Sequence, residues 1–212
     1  MNIIVKPYGS GFCYCRPDTT WERENRDFYS PECVNEVLWA PVVFARVSKA
    51  GKCVGQKFTH RYYDGVGCGM LMYCRVSDPA VPCDTPPYHA ITSCADHTSI
   101  LPMPLYDPVV LEDEKVFEVI RNGESLVALP SNADTVISTE TSASVVSTKR
   151  SEWRHLLEEA ICKASQLTSL RIGDFVAVEL APVSPLGSRE DKEISIKGIF
   201  CENETFHFRM HL

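Results

Sequence analysis

Residues 37–47 read VLWAPVVFARV, a nearly unbroken apolar run rich in β-branched and aromatic side chains. Strands buried on both faces carry this pattern, because neither side of the pleat meets water. Pro41 has no N–H to give to a ladder, so a bulge or a sheet edge is expected there. SKAGK (48–52) follows as a turn and KFTHRYYD (57–64) as a short polar segment. GVGCGMLMYCRV (65–76) is a second apolar strand, whose glycines permit close backbone approach.

Prolines crowd residues 78–108, in DPAVPCDTPP and LPMPLYDP, and predict irregular chain without regular helix. KVFEVIRNGESLV (115–127) alternates around Asn122-Gly123, the dipeptide suited to a type I′ turn, and predicts a β-hairpin. The Ser/Thr-rich stretch 131–150 reads as a surface loop or an edge segment. SEWRHLLEEAICKASQLT (151–168) repeats Trp153, Leu156, Leu157, Ala160, Ile161, Ala164 and Leu167 at helical spacing, with Ser151 as its cap. Gly173 turns the chain out of that helix into FVAVEL (175–180), and ISIKGIF (194–200) and ETFHFRMHL (204–212) complete the strands. With no repeat and no linker, residues 1–212 are expected to form one mostly-β (α+β) domain with one clear helix.

The chain has 212 residues, 23% charged and 44% hydrophobic, with a formal net charge of −7 and a pI near 5.4. An acidic chain without a Lys/Arg cluster has no footprint for a phosphate backbone, so no nucleic-acid partner is expected. No segment approaches the ~18 apolar residues of a membrane span, and the apolar run in MNIIVKPYGSG is too short for a signal-peptide core. No membrane partner and a cytoplasmic location are therefore expected. Ten cysteines lie at 13, 15, 33, 53, 68, 74, 83, 94, 162 and 201, none as CxxC. They read as reduced thiols acting as small hydrophobes, with zinc or redox chemistry as the alternative. The CxC pair Cys13/Cys15 would share one face of a strand.

RVSKAGKCVGQKFTHRYYDGVGCGM (46–70), followed by Arg75, resembles the central segment of the fumarylacetoacetate hydrolase family, in particular its small single-domain members acting on acylpyruvates. FYSPECVNEVLW (28–39), FEVIRNGESLV (117–127), SLRIGDFV (169–176) and ETFHFRM (204–210) resemble further family segments in the same order. The resemblance implies a rolled, mixed β-structure with a site at its mouth, commonly in homodimers. It also implies a Mg²⁺ or Mn²⁺ ion, held by three carboxylates, that polarises a dicarbonyl substrate.

Carried across residue by residue, the resemblance puts the three ligand positions on Ala40, Val42 and Leu71, and a histidine position on Leu38. Arg75 matches the family arginine, Val76 stands where an aspartate follows it, and the lysine position falls near Thr92. ELAP (179–182) replaces a threonine-bearing loop. Aliphatic side chains have no lone pair for a metal. The resemblance thus implies a vestigial pocket of Leu38, Ala40, Val42, Leu71, Tyr73, Arg75 and Thr92, without metal cofactor or metal-dependent catalysis. Such a protein would bind a ligand or a partner, as a homodimer, and Arg75 would favour a small anionic ligand. The alternative is an active hydrolase or decarboxylase of oxo-acids with a rearranged site; a third reading gives different chemistry to a cysteine, Cys68 or Cys74, or to Arg75. His60–Tyr63 reads as scaffold, and Asp96, His97, Thr98 and Ser99 are too close in sequence to form a triad.

Overall fold

The computed structural model describes residues 1–76, 86–112, 116–129 and 151–212. Two long strands, β5 (Val34–Val47) and β6 (Tyr63–Val76), form its centre, paired antiparallel along nearly their whole length. They belong to an eight-stranded mixed sheet. β1 (Ile3–Lys6) runs parallel to β10 (Phe175–Glu179), which pairs antiparallel with β5, while β2 (Tyr14–Arg16) lies outside β1. On the other side β6 meets β7 (Ser99–Ile100), and β7 meets β3 (Trp21–Glu22). A short strand, β11 (Ser184–Ser188), also pairs with β5. A second sheet has the order β4 (Phe28–Tyr29), β13 (Asn203–His211), β12 (Glu193–Phe200), β8 (Phe117–Arg121) and β9 (Glu124–Leu129).

The larger sheet curls into a half-barrel. β2 and β6 are separated by three strands, yet the Tyr14 and Tyr73 hydroxyls lie 2.8 Å apart. Alternation then divides the strands between two cores. Ile3, Val5, Val42, Phe44, Leu71, Phe175 and Ala177 fill the concave side. Ile4, Val43, Ala45, Val176 and Val178 face the convex side, against the helix α2 (Ser151–Leu167) and the second sheet.

In α2, Trp153, Leu157, Ala160, Ile161 and Ala164 are buried as the spacing predicts. Leu167 is not: it sits at the helix end, 67% exposed. The hairpin is present, with φ of 51° at Asn122 and 88° at Gly123, the left-handed pair a type I′ turn needs. Pro41 makes neither a bulge nor an edge. On one side β5 is paired with β10 through Val42 and with β11 from Trp39, so Pro41 lies at the changeover between partners, where no ladder N–H is needed. Its carbonyl accepts the Leu180 N–H at 2.9 Å. The proline-rich stretch departs from expectation too, since α1 (Pro86–Thr92) is a helix. Its prolines occupy the first two positions, where their missing N–H groups have no intrahelical partner to lose. The expected loop at 131–150, the start of the proline-rich stretch and the side chain of Ser151 lie outside the described residues.

Candidate functional site

The β5–β6 register brings most of the expected pocket together. Leu38 lies opposite Tyr73, Ala40 opposite Leu71 and Val42 opposite Gly69, and β10 sets Glu179 beside Val42. Paired residues share a face, so these side chains line the inside of the curl, and Glu36 and Arg75 continue the row outward. Gly69 is required here: a Cβ on it would lie 2.1 Å from the Ile100 carbonyl oxygen. Ala40, Val42 and Leu71 are fully buried, whereas Leu38 and Tyr73 are partly open and Arg75 is exposed. The mouth therefore lies at the Glu36–Arg75 end. Its floor is apolar, with the Phe175 ring 5.7 Å from Phe44 and 5.1 Å from Trp21.

Between floor and mouth lies a polar cluster. The Tyr73 hydroxyl donates to one oxygen of Glu179, and the Tyr8 backbone N–H donates to the other at 2.9 Å. Tyr14 closes the chain through its contact with Tyr73. Burial raises the pKa of Glu179, although the bonds from Tyr73 and Tyr8 and the nearby Arg16 oppose it. Burial, followed by the neighbouring Tyr14 and Glu179, holds the Tyr73 hydroxyl well above its ordinary value, and burial raises Tyr14 as well. Burial thus acts in the same direction on all three groups.

Arg16 fastens this arrangement. Fully buried, it donates to the carbonyls of Ser93 (2.8 Å), Thr98 (3.2 Å) and Met72, and to the Ser99 hydroxyl (3.0 Å). Its guanidinium lies 4.9 Å from the Tyr73 ring centroid. In this way β2 is tied to β6 and β7 across the curl. Sequence reasoning passed over Arg16, Tyr14 and Glu179. The one available signal was Glu179 itself, an acid ending the apolar strand FVAVEL.

The remaining candidates separate. Arg75 is neither buried nor free: its guanidinium meets Glu36 at 2.8 Å, so its charge is already countered. Thr92 gives its hydroxyl to the His89 carbonyl of its own helix at 3.1 Å. Cys68 and Cys74 pair with Val43 and Val37, on the face away from the pocket. Both are buried, and burial pushes the Cys74 thiol up to about 11. The reading that gave them pocket chemistry is corrected by this alternation. His97 meets Glu22 at 2.9 Å, and Thr98 and Ser99 serve Arg16, so the four-residue run makes no triad.

Magnesium and manganese take several oxygen ligands. Ala40, Val42 and Leu71 offer none, and the one carboxylate beside them, Glu179, is engaged by Tyr73 and Tyr8. These residues do not fit such an ion. Among the described residues no group of three or more His, Cys, Asp or Glu side chains is placed to hold a metal.

No family model matches the sequence, and no curated protein matches it. Solved structures do. Fumarylpyruvate hydrolase from Pseudomonas aeruginosa, solved with Mn²⁺ and pyruvate, superposes with a TM-score of 0.69 at 14% identity, over 100% of this chain and 90% of that one. 5-Carboxymethyl-2-hydroxymuconate delta-isomerase from Mycobacterium smegmatis gives 0.71 at 12% identity, over 99% and 78%. A Yersinia pestis protein assigned to the fumarylacetoacetate hydrolase family gives 0.68 at 13%, over 99% and 91%. At such identities the likeness speaks for architecture, and it spans the whole curled sheet: the chain has the fold of the fumarylacetoacetate hydrolase family.

Proposed function

We propose that this protein uses the fumarylacetoacetate hydrolase fold without metal-dependent catalysis and acts by binding a ligand or a partner. One observation carries the reading: the strand register sets Ala40 against Leu71, with Val42 alongside, and all three are aliphatic and fully buried. The Pseudomonas relative was solved with Mn²⁺ and pyruvate. The corresponding function here would need carboxylates that these positions do not supply. An apolar floor beneath a hydrogen-bonded tyrosine–glutamate cluster suits a weakly polar group better than a metal-bound dicarbonyl.

Calorimetric titration of the purified protein with Mg²⁺ and Mn²⁺, followed by assays with oxaloacetate and an acylpyruvate, tests this. The expected outcome is no metal binding and no turnover. Micromolar metal binding accompanied by turnover would show that other carboxylates serve the site and would overturn the reading.

A further inference from the structure

Two stretches more than a hundred residues apart, 48–62 and 163–173, contain no Asp or Glu; together they carry Lys49, Lys52, Lys57, His60, Arg61, Lys163 and Arg171. The fold seats one on the other. Gly51 and Leu170 exchange backbone hydrogen bonds of 3.1 and 2.8 Å, Cys53 N–H donates to the Ser165 carbonyl at 2.8 Å, and Lys52 Nζ donates to the Leu167 carbonyl at 2.8 Å. A basic surface thus forms on a chain whose net charge is −7.

The carboxylates bordering this surface are committed elsewhere. Asp64 meets Arg46 at 3.0 Å, Glu159 meets Lys6 at 2.7 Å, and Glu158 accepts from Tyr63 at 3.2 Å. Asp174 is fully buried and accepts the backbone N–H groups of Asn2 and Arg171. Among the described residues, none of the six Lys and Arg side chains of the surface forms an ion pair with a carboxylate. Lys57 and Arg61 lie 4.8 and 5.4 Å from the ring centroid of Phe58, which is 42% exposed, and Lys49 lies 5.4 Å from that of Tyr62. Leu167 and Ile172, 67% and 73% exposed, add two aliphatic side chains.

We propose that this face docks an acidic polypeptide segment with aliphatic side chains between its carboxylates. The carboxylates would meet Lys49, Lys57, Arg61 and Arg171, and the aliphatic groups would cover Leu167 and Ile172. Individual exposed ion pairs are weak, so recognition rests on several acting together. The observations favour a polypeptide over an anionic bilayer. Lys57 and Arg61 lie over the half-exposed Phe58 ring, so at this point the surface presents charge outward where a bilayer-inserting tip would present bare aromatic surface. The inference deepens the reading of the protein as a binding module, and its test uses neither metal nor oxo-acid, so each can fail alone.

The probe is a short fluorescein-labelled peptide of alternating Glu and Leu, followed by fluorescence anisotropy, with a Gln–Leu peptide of equal length as control. The acidic peptide is expected to bind and the neutral one not, with binding weakening as salt rises. Lys57→Glu with Arg61→Glu should weaken binding by about tenfold or more, as should Lys49→Glu with Arg171→Glu, a second pair in case the first fails to fold. Lys192→Glu, outside the patch, should leave binding unchanged. Equal binding of both peptides, or wild-type affinity in a folded double variant, overturns the proposal. So does retention on phosphatidylserine vesicles by a protein that ignores the acidic peptide.

Discussion

Gly69 and Glu179 show how single residues set the site. Any side chain on Gly69 collides with the Ile100 backbone, which has no flexible end to swing away. Gly69→Ala should lower stability by about 2–4 kcal/mol, read as a fall in the denaturant midpoint. Glu179 has a different signature. Because its pKa is raised in the folded protein, folding favours the protonated carboxyl. That stabilisation is complete below the unfolded pKa and is lost as pH rises through the folded one. Glu179→Gln keeps the shape and cannot ionise. Denaturant midpoints measured from acid to neutral pH should therefore fall more steeply with pH for the wild type than for the variant; parallel curves would refute the assignment. The close approach at Gly69 is legible as a glycine in an apolar strand; the role of Glu179 is not, since an acid at a strand end has many uses.

At the scale of elements, the long strands, the hairpin and the amphipathic helix were legible because each writes its own period or turn dipeptide. The departures share a cause: sequence gives an element's character but not its neighbours. Pro41 reads as a disruption until the changeover from β10 to β11 is seen. Pro86 and Pro87 read as helix breakers until they prove to be the start of a helix. Arg16 carries no signal in sequence until the curl brings β2 to β6. Its replacement tests that closure. Arg16→Met takes the guanidinium donors from the Ser93 and Met72 carbonyls, while the Thr98 carbonyl keeps the Met72 N–H at 2.7 Å, at a cost of about 3 kcal/mol or more. Arg16→Lys should recover only part, since an ammonium cannot reproduce the planar fork. Equal melting temperatures for wild type and Arg16→Met would show that the curl closes without it.

Across the whole molecule, the candidate pocket was partly legible. The aliphatic substitutions at positions 40, 42 and 71 could be found by resemblance, and the register then set Ala40, Val42 and Leu71 side by side. The polar cluster could not be found, because it comes from three distant parts of the chain, Tyr8 and Tyr14 near one another, Tyr73 in β6 and Glu179 in β10. The basic surface was hidden for the same reason, its halves being separated by all of β6 and everything up to the last residues of α2.

The parallel pairing of β1 with β10 has a consequence for biosynthesis. Ile3 finds its place beside Phe175, and Asn2 N–H bonds Asp174 at 2.7 Å. A ribosome adding roughly 5–20 residues per second needs on the order of ten seconds or more to travel from one partner to the other. Throughout that interval the segment Ile3–Ile4–Val5 has only β2 beside it and lacks the strand that joins it to the rest of the sheet. Completion of the half-barrel is thus a late event of translation, and the nascent chain offers an apolar strand to chaperones until then.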